Sequence, residues 1–212
     1  MTNWYLTLPI AKPGSSSDPQ TIKQPQLNSF ALAPYFQVNS SHNGVVFQAP
    51  AGGVTTKNSG YPRSELREMT DNGTRQASWS DTSGTNTMVI REAITHLPVA
   101  KPDVVAGQVH DSSDDVIEIR LEGSTLFVEA DGKNIGTLDG NYQLGAIFTV
   151  QVTAANGHIQ VAYNGAQMVD YAKSGSGYYF KAGCYTQSNP SKGDSPDAYG
   201  EVVIYGLQVN HA

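Results

Sequence analysis

The sequence predicts an all-β fold, an antiparallel sandwich or jelly roll forming one domain over residues 1–212, and three observations predict it. Hydrophobic and polar residues alternate with period two in run after run; Asn-Gly and Asp-Gly pairs fall between the runs; apolar residues at helical spacing are scarce. A chain of 212 residues suits a single sandwich. It hides roughly 70% of the surface its unfolded form exposes, so one core suffices without staples. Charged residues make up 15%, while Gly (21) and Tyr (11) are plentiful, which fits many tight turns and a polar, aromatic surface.

In chain order, Trp4-Tyr-Leu-Thr-Leu-Pro9 reads as an opening strand and Pro13 to Pro19 as a loop. The best helical candidate, Asn28 to Ala33, stops before Pro34 and reads equally well as a loop. Val116 to Leu121 leads through Glu122-Gly123 into Thr125 to Ala130, and Asp131-Gly132 opens the next turn. Phe148 to Thr153, Asn156-Gly157, His158 to Tyr163 and Asn164-Gly165 repeat the pattern. Such pairs supply the positive φ values that two-residue hairpins require. Ser188 to Asp197 reads as a loop able to flank a cleft, and Gly200 to Val209, rich in β-branched residues, as the closing strand.

Net charge is −6, which argues against nucleic acid or an anionic membrane as partner; a locally basic groove for an anionic sugar remains compatible with it. Cys184 is the single cysteine, so neither an intramolecular disulfide nor a cysteine zinc site can form, and the five histidines show no ligand spacing. No run approaches the ~18 apolar residues of a membrane span. No basic-then-apolar leader opens the chain, which reads as a mature form or as a leaderless protein; a secreted or periplasmic location and a monomer are expected.

Three segments carry polar residues that a structural strand does not need. In Tyr61 to Met69, alternation puts Arg63, Glu65 and Arg67 on one face, where arginine forks would grip carboxylates; a solvated ion-pair ladder gives the same pattern. In Gln108-Val109-His110 an amide lies beside a group titrating near neutrality, as proton transfer requires, although a surface histidine reads the same way. In Tyr178 to Gln187, alternation aligns Tyr179, Lys181, Gly183, Tyr185 and Gln187 against an apolar set of Phe180, Ala182 and Cys184. That pattern describes the floor of a groove, with Gly183 leaving room for a ligand.

Together the strings Arg-Ser-Glu-Leu-Arg, Gln-Val-His and Tyr-Phe-Lys-Ala-Gly-Cys-Tyr-Thr-Gln resemble the three signature blocks of the alginate lyases of polysaccharide lyase family seven. The likeness extends to the opening Trp4 run, Phe47-Gln-Ala-Pro50, Thr55-Thr56 and the closing strand, in the same order. The resemblance implies a jelly-roll β-sandwich of two antiparallel sheets with a concave substrate groove. It implies Tyr185 as catalytic acid and base and His110 as proton acceptor, with Gln108 and Arg63 neutralising the substrate carboxylate. Glu65, Arg67, Lys181, Gln187 and Tyr179 would line the groove. The implied reaction is β-elimination in alginate, giving unsaturated oligosaccharides without metal or organic cofactor. Val109 between Gln108 and His110 accompanies, within the family, a preference for mannuronate-rich polymer. A glycoside hydrolase would need two facing carboxylates, whereas Glu65 and Glu68 face opposite ways. A non-catalytic carbohydrate-binding module would use the same aromatics but not Gln108, His110 and Tyr185 together.

Overall fold

The alternating runs are strands in the computed structural model, which describes all residues, 1–212. Those of the first half are β1 (Trp4–Ala11), β2 (Pro19–Ile22), β3 (Phe36–Val38), β4 (Val45–Pro50), β5 (Arg63–Thr70), β6 (Arg75–Gln76), β7 (Trp79–Ser80) and β8 (Asn86–His96). There follow β9 (Asp103–His110), β10 (Asp115–Glu122), β11 (Thr125–Ala130), β12 (Lys133–Asp139) and β13 (Phe148–Ala155). The last four are β14 (His158–Tyr163), β15 (Ala166–Ala172), β16 (Ser176–Thr186) and β17 (Tyr199–His211).

They form two antiparallel sheets in the expected jelly roll. One has ten strands in the order β12-β11-β10-β9-β16-β5-β1-β2, with β6 on β5 and β7 on β16; the other runs β15-β14-β13-β8-β17-β4-β3. Consecutive strands pair at the flanks, while the centre of each sheet joins strands distant in sequence. The inner faces meet in one core: Leu6, Leu66, Val109 and Phe180 from the larger sheet, Phe47, Ile90, Val152 and Val202 from the smaller. Glu68 is also turned inward. Its carboxylate accepts from Trp79 Nε1 (3.0 Å) and the Phe180 amide (2.9 Å) and lies 2.6 Å from His211 Nε2, tying β5, β7, β16 and β17 together.

Turn chemistry places three hairpins as predicted. Asp131-Gly132 (φ 50° and 73°), Asn156-Gly157 (54° and 80°) and Asn164-Gly165 (49° and 85°) each sit between directly paired residues. The fourth turn is shifted by one: Glu122 pairs with Thr125, so the turn residues are Gly123 and Ser124. Of the helical candidate Asn28 to Ala33, only Asn28 and Ser29 fall in a short 3-10 turn, Gln26–Ser29, and the rest is loop; Leu27 of that turn reaches the core.

Gly183 corrects an expectation. Its φ is 141°, and a Cβ there would lie 2.6 Å from the Ser64 carbonyl oxygen, 2.9 Å from Glu65 Cα and 3.0 Å from the buried Phe47 ring. The space it leaves is taken by neighbouring backbone and core, not by a ligand. At this point β16 carries one residue more than β9, between the pairs Ala182–Gly107 and Tyr185–Val105. Against β5 the register runs unbroken from Lys181–Arg67 to Tyr185–Arg63, so Tyr185 keeps the face that alternation gave it.

Candidate active site

The outer face of the larger sheet carries a polar ladder built by strand register. Tyr5 pairs with Arg67, Arg67 with Lys181, Lys181 with Gln108, Gln108 with Glu118 and Glu118 with Glu129. A second row pairs Tyr179 with His110, and Arg63 stands opposite Tyr185. Above the centre of these rows lies a cleft of about 320 Å³, walled by the loop around Lys57, Asn58 and Ser59 and by Ser112 to Asp115. It brings together Arg63, Glu65, Arg67, Gln108, His110, Tyr179, Lys181 and Tyr185. Gln187, grouped with them by alternation, does not line the cleft. It follows the end of β16, is buried, and its amide donates to the Asp103 carbonyl (3.0 Å).

Glu65 organises the cleft. Its Oε2 meets Arg63 Nη1 at 3.0 Å and Lys181 Nζ at 2.7 Å, while Oε1 accepts from Gln108 Nε2. Burial opposes the Glu65 charge, but the Lys181 and Arg63 charges and their hydrogen bonds outweigh it and hold its carboxyl below the usual range. Burial pushes the Lys181 ammonium down to about 8, only partly offset by Glu65. Arg63 also loses hydration, yet Glu65 keeps it more firmly cationic than a free arginine. Its guanidinium carbon sits 3.7 Å from the Tyr185 ring centroid, and that of Arg67 lies 3.8 Å from the Tyr179 ring.

His110 Nδ1 is 2.7 Å from the Asp111 carbonyl, which only accepts, so Nδ1 carries the hydrogen. The neutral ring then holds its lone pair on Nε2. The Tyr179 hydroxyl, 3.0 Å from the same Nδ1, packs the ring in place, stacked at 5.2 Å between centroids. Burial, helped by the nearby Lys181 charge, lowers the His110 pKa and so favours this neutral base form.

The charged residues of the cleft are Lys57, Arg63, Arg67 and Lys181 against Glu65, Asp114 and Asp115, four positive to three negative in a chain of net −6. Pattern reading missed Ser59, whose hydroxyl touches Tyr185 and Arg63; nothing in the Asn58-Ser59-Gly60 string distinguishes it from an ordinary turn. It missed a second gathering too. Asp115, Glu118 and Glu129 bring carboxylate oxygens within 4.8 Å of one another, although the histidine and cysteine spacings gave no sign of a metal-ligating group. The Arg120 guanidinium already lies 3.5 Å from Glu118 and 3.1 Å from Glu129.

Compared with known proteins, residues 1–211 match the family model described as alginate lyase. An alginate lyase of polysaccharide lyase family 7 shares 57% identity at a TM-score of 0.96, covering 100% of this chain and 95% of that one. The alginate lyase from Corynebacterium sp. shares 49% at 0.94, with coverage of 100% and 95%. An alginate lyase of Klebsiella pneumoniae is 24% identical over 100% of this chain, which spans 59% of that relative's length. A β-sandwich with a polar cleft across one sheet defines the class of the molecule; the whole-chain match places it more narrowly. The chain belongs to the alginate lyase family.

Proposed function

We propose that this protein is an alginate lyase that cleaves the 4-O-linked uronate chain by β-elimination, leaving an unsaturated uronate end. The observation that carries the reading is the meeting of Tyr185, His110, Gln108 and Arg63 in one cationic cleft. The hydrogen at C5 is hard to remove because its electrons move onto an already anionic carboxylate. Arg63 and Gln108 are the donors for that developing charge, and one such donor is typically worth about 3 kcal/mol. Glu65 fixes both donors from behind. Loss of the C5 proton forms the C4–C5 double bond as the C4–O bond breaks, and the departing oxygen takes a proton from Tyr185. Positioned proton transfer adds roughly 10²- to 10⁴-fold.

In mannuronate the C5 hydrogen and the leaving oxygen share a face of the ring, so Tyr185 takes the proton and returns it. In guluronate they lie on opposite faces, and His110 Nε2 is the second acceptor. We also propose a preference for mannuronate-rich polymer, which the family resemblance associates with Val109. Because Val109 is fully buried, it would act through the seating of Gln108 and His110 and not by touching substrate. We place the reaction outside the cell or in the periplasm, where a polymer is accessible, with a monomer as the working unit.

The test is ultraviolet absorbance of the unsaturated product, with product lengths, on mannuronate-rich and guluronate-rich alginate. Tyr185→Phe is expected to lose at least about 10²-fold on both polymers. His110→Asn is expected to lose more on guluronate-rich polymer. Equal fractional loss on the two would remove the division of labour, and an active Tyr185→Phe would remove the mechanism. A product without the new double bond would favour hydrolysis, and no product at all a binding module.

A further inference from the structure

Ser59 stands in the loop between β4 and β5, half-buried, with its Oγ within reach of four polar groups. The Tyr61 amide donates to it at 3.1 Å and Arg63 Nη2 at 3.2 Å; the Tyr61 carbonyl lies at 3.1 Å and the Tyr185 hydroxyl at 3.0 Å. A serine hydroxyl has two lone pairs and one hydrogen. The Tyr61 amide and the arginine are donors only, so they occupy both lone pairs. Tyr185 is left without an acceptor on Ser59, and only the serine's own hydrogen can bridge the two oxygens. That hydrogen has one competing claimant, the Tyr61 carbonyl.

Resting on the lyase reading above, we propose that Ser59 is a positioning residue for the elimination, set by this lone-pair count. While Tyr185 is neutral, the serine hydrogen is shared between two ordinary acceptors. Once Tyr185 gives up its proton, the charged oxygen wins it, since hydrogen bonds to an ionised acceptor are roughly twice as strong. Ser59 therefore holds the phenolate when Tyr185 acts as base. When Tyr185 is the acid, Ser59 cannot accept its hydrogen, so that hydrogen remains available to the leaving oxygen. Both functions need the serine held from the far side. The Ser59 amide donates to the Thr56 carbonyl (3.0 Å), and Asn189 Nδ2 donates to the Gly60 carbonyl (2.8 Å), pinning the loop to the one after β16.

The experiment compares wild type, Ser59→Ala and Ser59→Thr in kcat, KM and their pH profiles on alginate, with circular dichroism to check the fold. Ser59→Ala is expected to lower kcat about tenfold, the loss of one hydrogen bond to a charged group. KM should stay within about twofold, and the limb reporting loss of the Tyr185 proton should move to higher pH. Ser59→Thr, which keeps the hydroxyl, should recover most of the rate and restore the limb. A loss confined to KM with an unmoved profile, or an alanine variant with normal kcat, overturns the proposal. An ultraviolet titration of tyrosinate in the free protein, with Tyr185→Phe subtracted, gives a readout independent of turnover. If Ser59→Ala leaves the Tyr185 component where it is, the proposal fails even in an active lyase. If that component rises in a protein inert on alginate, the lyase reading fails and the hydrogen-bond assignment stands.

Discussion

Two halves of one sheet face solve opposite charge problems. Around β5 and β16, the single carboxylate of Glu65 is shared by Arg63 and Lys181 and accepts from Gln108, with Arg67 one register step away. Around β10, the single guanidinium of Arg120 is shared by Asp103 (2.6 Å), Glu122 (3.0 Å), Glu129 (3.1 Å) and Glu118 (3.5 Å). Gln108 lies on the seam, paired with Lys181 on one side and Glu118 on the other. The first half keeps cationic capacity to spare and suits a uronate; the second is over-supplied with acid and repels one. The excess acid makes the Glu118 and Asp115 carboxyls harder to ionise. Burial, then the Asp115 charge, pushes Glu118 up to about 9, and burial, then Asp114 and Glu129, pushes Asp115 to about 6. A groove can thus carry a slight positive surplus in a chain of net −6 because Asp103, Glu118, Glu122 and Glu129 gather outside it on the same face.

The comparison breaks most severely at Glu65. Glu65→Gln leaves Arg63 and Lys181 buried without their counter-charge, and loss of one partner of a buried pair costs about 3–5 kcal/mol. Denaturant unfolding should show a loss of that order, with turnover falling because both carboxylate donors lose their anchor. A loss below about 1 kcal/mol would mean that the cleft's cations do not depend on Glu65.

The acid side should respond in the opposite direction. The folded-state pKa of Glu118 is raised above its usual value, so its contribution is fully present below the unfolded value and is lost as pH rises towards about 9. Glu118→Gln removes that dependence. Its advantage over wild type should grow from pH 5 to pH 9 by on the order of 1–2 kcal/mol, the full shift being spread over coupled neighbours. Melting temperatures at the two pH values measure it, and parallel curves would contradict the crowding of charge.

The smallest effect concerns substrate affinity. Lys181 is cationic below about 8 and neutral above, so KM should rise a few-fold as pH passes that value, and Lys181→Arg should flatten the rise. Added salt should raise KM as well, since exposed charges are screened within ~8 Å at physiological ionic strength. A KM indifferent to both would mean that the surplus positive charge does not reach the polymer.

The sequence by itself determined what depends on neighbours a few residues apart. Period-two alternation specified the strands and put Arg63, Glu65 and Arg67 on one face, and three Asn-Gly or Asp-Gly pairs specified their hairpins. Only the tertiary structure decided register between distant segments, because pairing is settled by the joint burial of whole strands and leaves no local mark. Register put Lys181 between Arg67 and Gln108. The regular pattern failed at two positions of this run: neighbouring backbone and the Phe47 ring fill the space beside Gly183, and Gln187, past the strand's end, fell outside the cleft. Ser59 was the least legible of all. Its importance lies in which four groups surround one oxygen, and two of them, Arg63 and Tyr185, meet only when β5 pairs with β16.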